Sequence, residues 1–267
     1  YYSFLFLPTK KRNAIMALYA FCREVDDAVD EISDPLVAAQ TLAWWRQEVA
    51  NTFIGQATHP VGKALADTLQ DFDLHEEYFH EIIDGMEMDL TQHRYPAYKN
   101  LALYCHRVAS VVGLLSAQIF GFSDRSTLKF AEKLGLAFQL TNIIRDVRED
   151  AERGRIYLPL DEMQQFGVSE QSILDLQQTE ALTKLLEFQT QRAEQFYQEA
   201  MQLLPPQDRY HQCTALIMAE IYRTTLQEIA IDNFQVMKQR VSLTPIRKLW
   251  LAWCTYRREK KLAKNHS

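Results

Sequence analysis

Residues 139–150 read Q-L-T-N-I-I-R-D-V-R-E-D, and residues 22–30 read C-R-E-V-D-D-A-V-D. Each segment sets two aspartates four residues apart within apolar positions that recur every three or four residues, the period of an α-helix. Asp26 and Asp30 therefore share one helical face, as do Asp146 and Asp150, each pair about 6 Å apart at Cβ. Tyr19 and Arg23 extend the first stripe; Gln139 and Asn142 extend the second. The same period runs through most of the chain, and strand-like alternation between turns is hard to find. Helices are predicted at 10–32, 35–53, 61–73, 76–91, 98–120, 124–152, 179–204, 208–233 and 245–262. Asp34-Pro35 and Ser123 read as N-terminal caps, and Gly121 and Gly154 as stops.

Gly and Pro number 8 each in 267 residues, well under the usual roughly 7% and 5%, which favours helices over a turn-rich β architecture. No internal repeat, low-complexity segment or linker interrupts the pattern. The expectation is an all-α fold: a single domain over residues 1–267, built as one helical bundle around a central cavity.

Like charges at four-residue spacing destabilise an isolated helix, and the apolar residues around both pairs turn them inward, where an unpaired carboxylate is expensive. A cation is needed. Mg2+ favours oxygen ligands, keeps several waters and is usually held by one or two carboxylates together with substrate phosphates, so the aspartates call for a diphosphate opposite them. Either pair alone would more often lie on a solvated helix face, and Arg23 and Arg145 could be ordinary partners for the acids. Two matched pairs shift the balance toward a shared site, with the arginines as diphosphate clamps.

The net charge of −6 argues against a nucleic-acid partner. Residues 247–267 hold seven Lys or Arg against one acid, so this tail carries +6 and the remainder −12. The tail could lie on an anionic membrane, with Trp250 and Trp253 at its interface; the preferred reading is a capping helix whose aromatics pack inward. Cys22, Cys105, Cys213 and Cys254 lack metal-site spacing and read as reduced core residues of a cytoplasmic protein. The longest apolar stretch, Val108 to Phe122, is shorter than the roughly 20 residues that span a bilayer, and no signal peptide is expected.

Two longer segments carry a family resemblance that covers nearly the whole chain. Tyr104 to Ser116 reads Y-C-H-R-V-A-S-V-V-G-L-L-S; Leu134 to Asp150 reads L-G-L-A-F-Q-L-T-N-I-I-R-D-V-R-E-D, followed after four residues by R-I-Y-L-P. Both resemble the signatures of the squalene/phytoene synthase family, whose members join two prenyl diphosphates head to head on an isoprenoid-synthase bundle. The Y-S-F-L-F-L-P start, A-L-Y-A-F-C-R-E-V-D-D-A-V-D-E and G-M-E-M-D-L look most like bacterial presqualene diphosphate synthases of hopanoid synthesis. The resemblance implies a Mg2+ cluster on Asp26 and Asp30 from one side and on Asn142, Asp146 and Asp150 from the other. It implies prenyl diphosphate contacts for Tyr19, Arg23, Gln139, Arg145, Arg155 and Tyr222. It also places a Ser-x-Ser-Phe diphosphate-binding segment just upstream of Tyr1. Arg148 stands where close relatives usually have Gly, pointing away from the acidic face, so it is expected to be tolerated.

Loss of diphosphate from an allylic carbon leaves a delocalised cation, which needs positive charge on the leaving group and a dry wall around itself. The apolar stretch from Val108, with Ala109, Ser110 and Gly113, could supply that wall or could be plain core packing. Tyr104, Tyr157 or the released diphosphate could take the proton that closes a cyclopropane. The expected reaction is condensation of two farnesyl diphosphates to presqualene diphosphate without NADPH. The rivals are phytoene formation from geranylgeranyl diphosphate, NADPH-dependent squalene synthesis, and a non-catalytic assembly or lipid-binding relative, which the intact aspartates disfavour.

Overall fold

The computed structural model describes residues 2–266 and contains no strand among them, only an isolated parallel bridge between Arg94 and Ile156. Thirteen α-helices are described: α1 Thr9–Asp30, α2 Pro35–Phe53, α3 Pro60–Leu69, α4 Glu76–Thr91, α5 Tyr98–Cys105, α6 Val111–Phe120, α7 Ser126–Arg145, α8 Val147–Glu152, α9 Leu160–Phe166, α10 Glu170–Leu174, α11 Glu180–Leu203, α12 Cys213–Ile231 and α13 Pro245–His266. The all-α expectation holds, and most predicted helices fall within a few residues of those observed. The start of α2 follows the sequence signal: Pro35 opens the helix, and Asp34 accepts from the Leu36 amide at 2.9 Å. Gly121 and Gly154 end α6 and α8 with φ of 82° and 74°, in the left-handed region that suits glycine.

Three departures matter. The predicted helix over 124–152 breaks at Asp146, which takes φ −103° and ψ 17°; the break falls at the carboxylate that two arginines share. Ser123 does not cap α7, because its amide and hydroxyl both donate to Asp208, a fully buried acid that also accepts from Asp124 and Thr127. α9 and α10 were not predicted, since five to seven residues are too few to display a helical period.

Between α5 and α6 the backbone passes through a π-helical segment, His106–Ser110, a distortion frequent at functional sites. Its neighbour on α7 is Gly135, where an added Cβ would lie 2.5 Å from the Ala109 carbonyl oxygen and 2.7 Å from Ser110 Cα. The Ser110 hydroxyl closes the same seam by donating to the Glu132 carbonyl at 2.9 Å. The continuous run Tyr98–Phe120 is long and apolar enough to cross a membrane by length and composition, but half of its most apolar window is buried inside the protein, as a core helix would be.

α7 runs through the centre, packed on α11, α6, α12 and the π segment. One core cluster gathers around α7, α11 and the Tyr157 loop; a second joins α1, α2, α4 and α6. α13 packs on α12 and on the first residues of the chain. Ala252, Thr255 and Glu259 face inward, while Trp250 is 61% and Trp253 44% exposed. The tryptophans therefore do not pack inward, contrary to the sequence-based preference: the inward stripe is taken by small and polar residues three or four apart. The cysteines are free; Cys105 and Cys213 are buried, whereas Cys22 and Cys254 are only partly so.

Candidate active site

A cavity of about 800 Å3, counting open solvent at its mouth, lies between α1, the π segment with α6, α7 and α12. α7 lines it from Ala131 to Asn142, a length of about 16 Å at the helical rise. Ala109, Gly113, Ala117, Phe120 and Phe138 make its wall apolar. Tyr19 and Cys22 of α1, Gln139 and Asn142 of α7, and Tyr222 of α12 are its polar margin. Asp26 follows Cys22 by one helical turn, and Asp146 follows Asn142 by one.

The structure thus brings the Tyr19 end of the first stripe and the Gln139–Asn142 end of the second to one cavity, whereas none of the four aspartates is among the residues that line it. Arg153 and Arg155, in the turn after α8, reach across to Asp30 at 2.8 and 2.6 Å. Arg153 bonds Asp30 alone, and its charge also favours the ionised forms of Asp26 and Asp150. Asp146 is held separately. Arg145 grips it through two bonds of 2.7 and 2.5 Å, and Arg240 adds two more at 2.8 and 3.3 Å. Burial acts to raise the Asp146 carboxyl, but the bonds from Arg145 and Arg240 outweigh it and hold the group below its usual range.

Asp150 has no side-chain hydrogen bond among the described residues. Burial first, then Asp146 and Asp89, push it up to about 8 against the pull of Arg155 and Arg153. Asp26 is pushed up to about 6 by burial and then by Asp30. Asn142 presents a buried Oδ1 without a partner, its amide nitrogen donating to Gln139 at 3.4 Å. A raised pair of carboxyls, an orphaned amide oxygen and two arginine-held carboxylates form an all-oxygen donor set that fits Mg2+. No three acidic, His or Cys side chains among the described residues converge closely enough to hold an ion unaided. The set therefore fits a metal bound together with diphosphate oxygens.

Of the other sequence-predicted residues, Tyr19 sits on the cavity against Phe4, with ring centroids 5.3 Å apart, and Tyr222 tilts over Phe138 at 4.7 Å. Arg23 is brought to the outer edge rather than the cavity: it is 67% exposed, 2.7 Å from Asp27 and 3.7 Å from Asp26. Arg148 points away from the acids as expected, donating to Glu152 and to the carbonyls of Met237 and Lys238. It fastens the segment that carries Arg240 over Asp146.

Tyr104 and Tyr157 meet at Asp89, donating to its two oxygens at 2.8 and 2.7 Å, and all three are buried. Burial first, then the Asp89 charge, holds both phenols well above their ordinary value, so they keep their protons. Asp89 itself rises to about 6, through burial opposed by the Tyr157 bond and Arg155. Sequence reasoning missed Asp89, Arg153 and Arg240 as site residues. Asp89 carried a signal, since it continues the buried stripe Phe79, Ile82, Ile83 and Met86 of α4. Arg240 carried none, because it lies outside any helix.

An all-α bundle with two acidic helices flanking an apolar cavity matches isoprenoid synthase-type structures. The chain belongs to the squalene/phytoene synthase family, whose profile matches residues 1–247. It is 39% identical over 259 residues to a phytoene synthase of Arthrospira platensis, covering 91% of this chain and 83% of that one. It is 36% identical over 271 residues to a 15-cis-phytoene synthase of Synechocystis, covering 95% and 80%. Among solved structures it superposes on a dehydrosqualene synthase in complex with ligand, with TM-score 0.84, 29% identity, and 97% and 90% of the two chains covered. A squalene synthase from Alicyclobacillus acidocaldarius gives 0.78, 28%, 87% and 88%. The chain is a prenyltransferase-type enzyme of head-to-head prenyl diphosphate condensation.

Proposed function

We propose that this chain condenses two farnesyl diphosphates into presqualene diphosphate, with Mg2+ and without NADPH. The observation that carries the reaction type is the placement of two acidic stripes beside one apolar cavity, whose polar margin Tyr19, Gln139 and Asn142 supply, with Arg153 and Arg155 reaching from beyond the second stripe to Asp30. Mg2+ on Asp26, Asp30, Asn142, Asp146 and Asp150 would neutralise charge developing on departing diphosphate. Entry of metal and diphosphate would relieve Arg145, Arg153, Arg155 and Arg240 of their carboxylates and turn them to phosphate oxygens, where paired N–H donors fit well.

The allylic C–O bond breaks and its electron pair leaves with diphosphate. The wall from Val108 to Phe120 keeps water from the cation. The double bond nearest the second diphosphate attacks, and loss of one proton closes the cyclopropane. Tyr104 and Tyr157 hold their own protons and donate to Asp89, which is ionised at neutral pH; a phenol can pass a proton inward only because Asp89 stands behind it.

Farnesyl is supported by Y-S-F-L-F-L-P and G-M-E-M-D-L, the segments most like hopanoid-pathway enzymes. The names of the cyanobacterial relatives favour a second reading, geranylgeranyl diphosphate carried to phytoene. Incubation with each diphosphate and Mg2+, with and without NADPH, followed by phosphatase treatment and mass spectrometry, separates them. Presqualene alcohol from farnesyl diphosphate in both conditions supports the first reading. Phytoene supports the second, and squalene formed only with NADPH replaces the first with a two-step reaction.

A further inference from the structure

On α13 the outward residues Ile246, Trp250, Trp253, Arg257, Lys260 and Lys264 follow one another at steps of three and four, so they lie on a single stripe. The stripe is divided along its length. Its first half is apolar and open to solvent, with Ile246 80%, Trp250 61% and Trp253 44% exposed. Its second half is cationic, and none of Arg257, Lys260 and Lys264 forms an ion pair with an acid among the described residues. Arg257 instead lies over the Trp253 ring at 5.2 Å, and the two indoles are 5.6 Å apart. On the inward face Arg209 clasps buried Glu259 through two bonds of 2.9 Å, and Phe6 stacks on Tyr256 at 4.3 Å. The helix is thus held firmly from behind while its outer stripe is left uncovered.

We propose that this stripe is a docking surface for an anionic lipid bilayer. Exposed indoles favour the headgroup boundary, where an apolar ring and an N–H are both accommodated. Cations one to three turns further along reach anionic headgroups and gain from the negative surface potential. Charge complementarity selects the lipid: the tail carries +6 on a chain whose remainder carries −12, so an anionic surface attracts this end and repels the rest. The proposal does not depend on which prenyl chain the cavity takes.

Vesicle co-sedimentation of the whole protein tests it, using phosphatidylcholine alone and phosphatidylcholine mixed with phosphatidylglycerol. Binding is expected to the mixed vesicles only, with a blue shift of tryptophan emission and release by salt. Lys260→Ala and Lys264→Ala should each weaken binding about fivefold, and Trp250→Ala/Trp253→Ala should abolish the blue shift; circular dichroism confirms that each variant folds. Leu36→Ala, at a 75% exposed position on α2, should bind as the parent does. Equal binding to both vesicle types, parental binding by the α13 variants, or a loss with Leu36→Ala would overturn the proposal. So would light scattering showing a dimer that Trp250→Ala/Trp253→Ala dissociates.

Discussion

The Arg155 guanidinium donates to the Asp30 carboxylate at 2.6 Å, tying the end of α1 to the turn after α8, 125 residues further along. Both side chains are largely withdrawn from solvent, 12% and 18% exposed. The bond joins one acidic stripe to the segment that follows the other, and Arg153 doubles it from a more exposed position. Arg155→Ala should lower turnover by about 10²-fold, the scale of losing one donor to developing negative charge. Arg153→Ala should cost less, since its side chain is half exposed. Steady-state rates at saturating Mg2+ compare the two, and the reverse order would contradict this arrangement.

Asp146 and Asp150 should behave oppositely in the metal-free protein. Removing Asp146 strands the largely withdrawn Arg145 and leaves Arg240 only Glu149 at 3.5 Å, so Asp146→Asn should lower the melting temperature. Asp150 has a folded pKa of about 8, above its unfolded value near 3.9. The folded state therefore binds the extra proton between those values, and stability falls as pH rises from about 4 to about 8. Asp150→Asn should remove that slope and raise Tm at pH 8 by a few degrees, on the order expected for about 1 kcal/mol. Thermal scans at pH 5 and pH 8 in chelator decide it; an Asp150→Asn variant less stable than the parent at pH 8 would refute the assignment of a half-buried acid without a side-chain partner.

The helical period made the bundle legible, and the D-x-x-x-D spacing made both acidic stripes legible, because each is a local property of one helix. What arrived only with the structure depends on distant chain segments. Asp30 is held by residues more than a hundred positions away, and Asp146 by Arg240 from an irregular segment. The break at Asp146 was hidden for a local reason: its apolar neighbours Ile143, Ile144 and Val147 keep the helical pattern across it. Asp89 could have been found as an acid on a buried stripe, but its two tyrosine partners belong to other elements.

The Asp89 cluster predicts a pH effect. Asp89 is protonated below about 6; if saturating Mg2+ holds Asp26 and Asp150 ionised, as the proposed function requires, an acid limb in kcat near that pH is expected to follow Asp89. Asp89→Asn should flatten the limb and lower kcat at pH 8 by about 10²-fold, the usual scale of a proton-transfer group. Tyr104→Phe should lower kcat while leaving the limb in place. A pH profile from 5 to 9 that keeps its acid limb in Asp89→Asn would remove Asp89 from proton transfer.

Gly135 tests the packing that positions the cavity wall. A methyl group there would meet the backbone of Ala109 and Ser110 at 2.5 to 2.8 Å, and backbone cannot step aside as a flexible side chain can. Gly135→Ala should destabilise the fold by about 1–3 kcal/mol, the scale of an overpacked core. Denaturant unfolding measures it, and a neutral result would mean that the π segment yields easily.

The most direct test of the central claim is the dependence of turnover on Mg2+ concentration with farnesyl or geranylgeranyl diphosphate, for the parent, Asp26→Asn and Asp146→Asn, each checked for helical content. The site described here predicts no head-to-head product without Mg2+, saturable activation in the parent, and loss of about 10³-fold or more in either variant. Parental rates from either variant, or turnover in chelator, would contradict it.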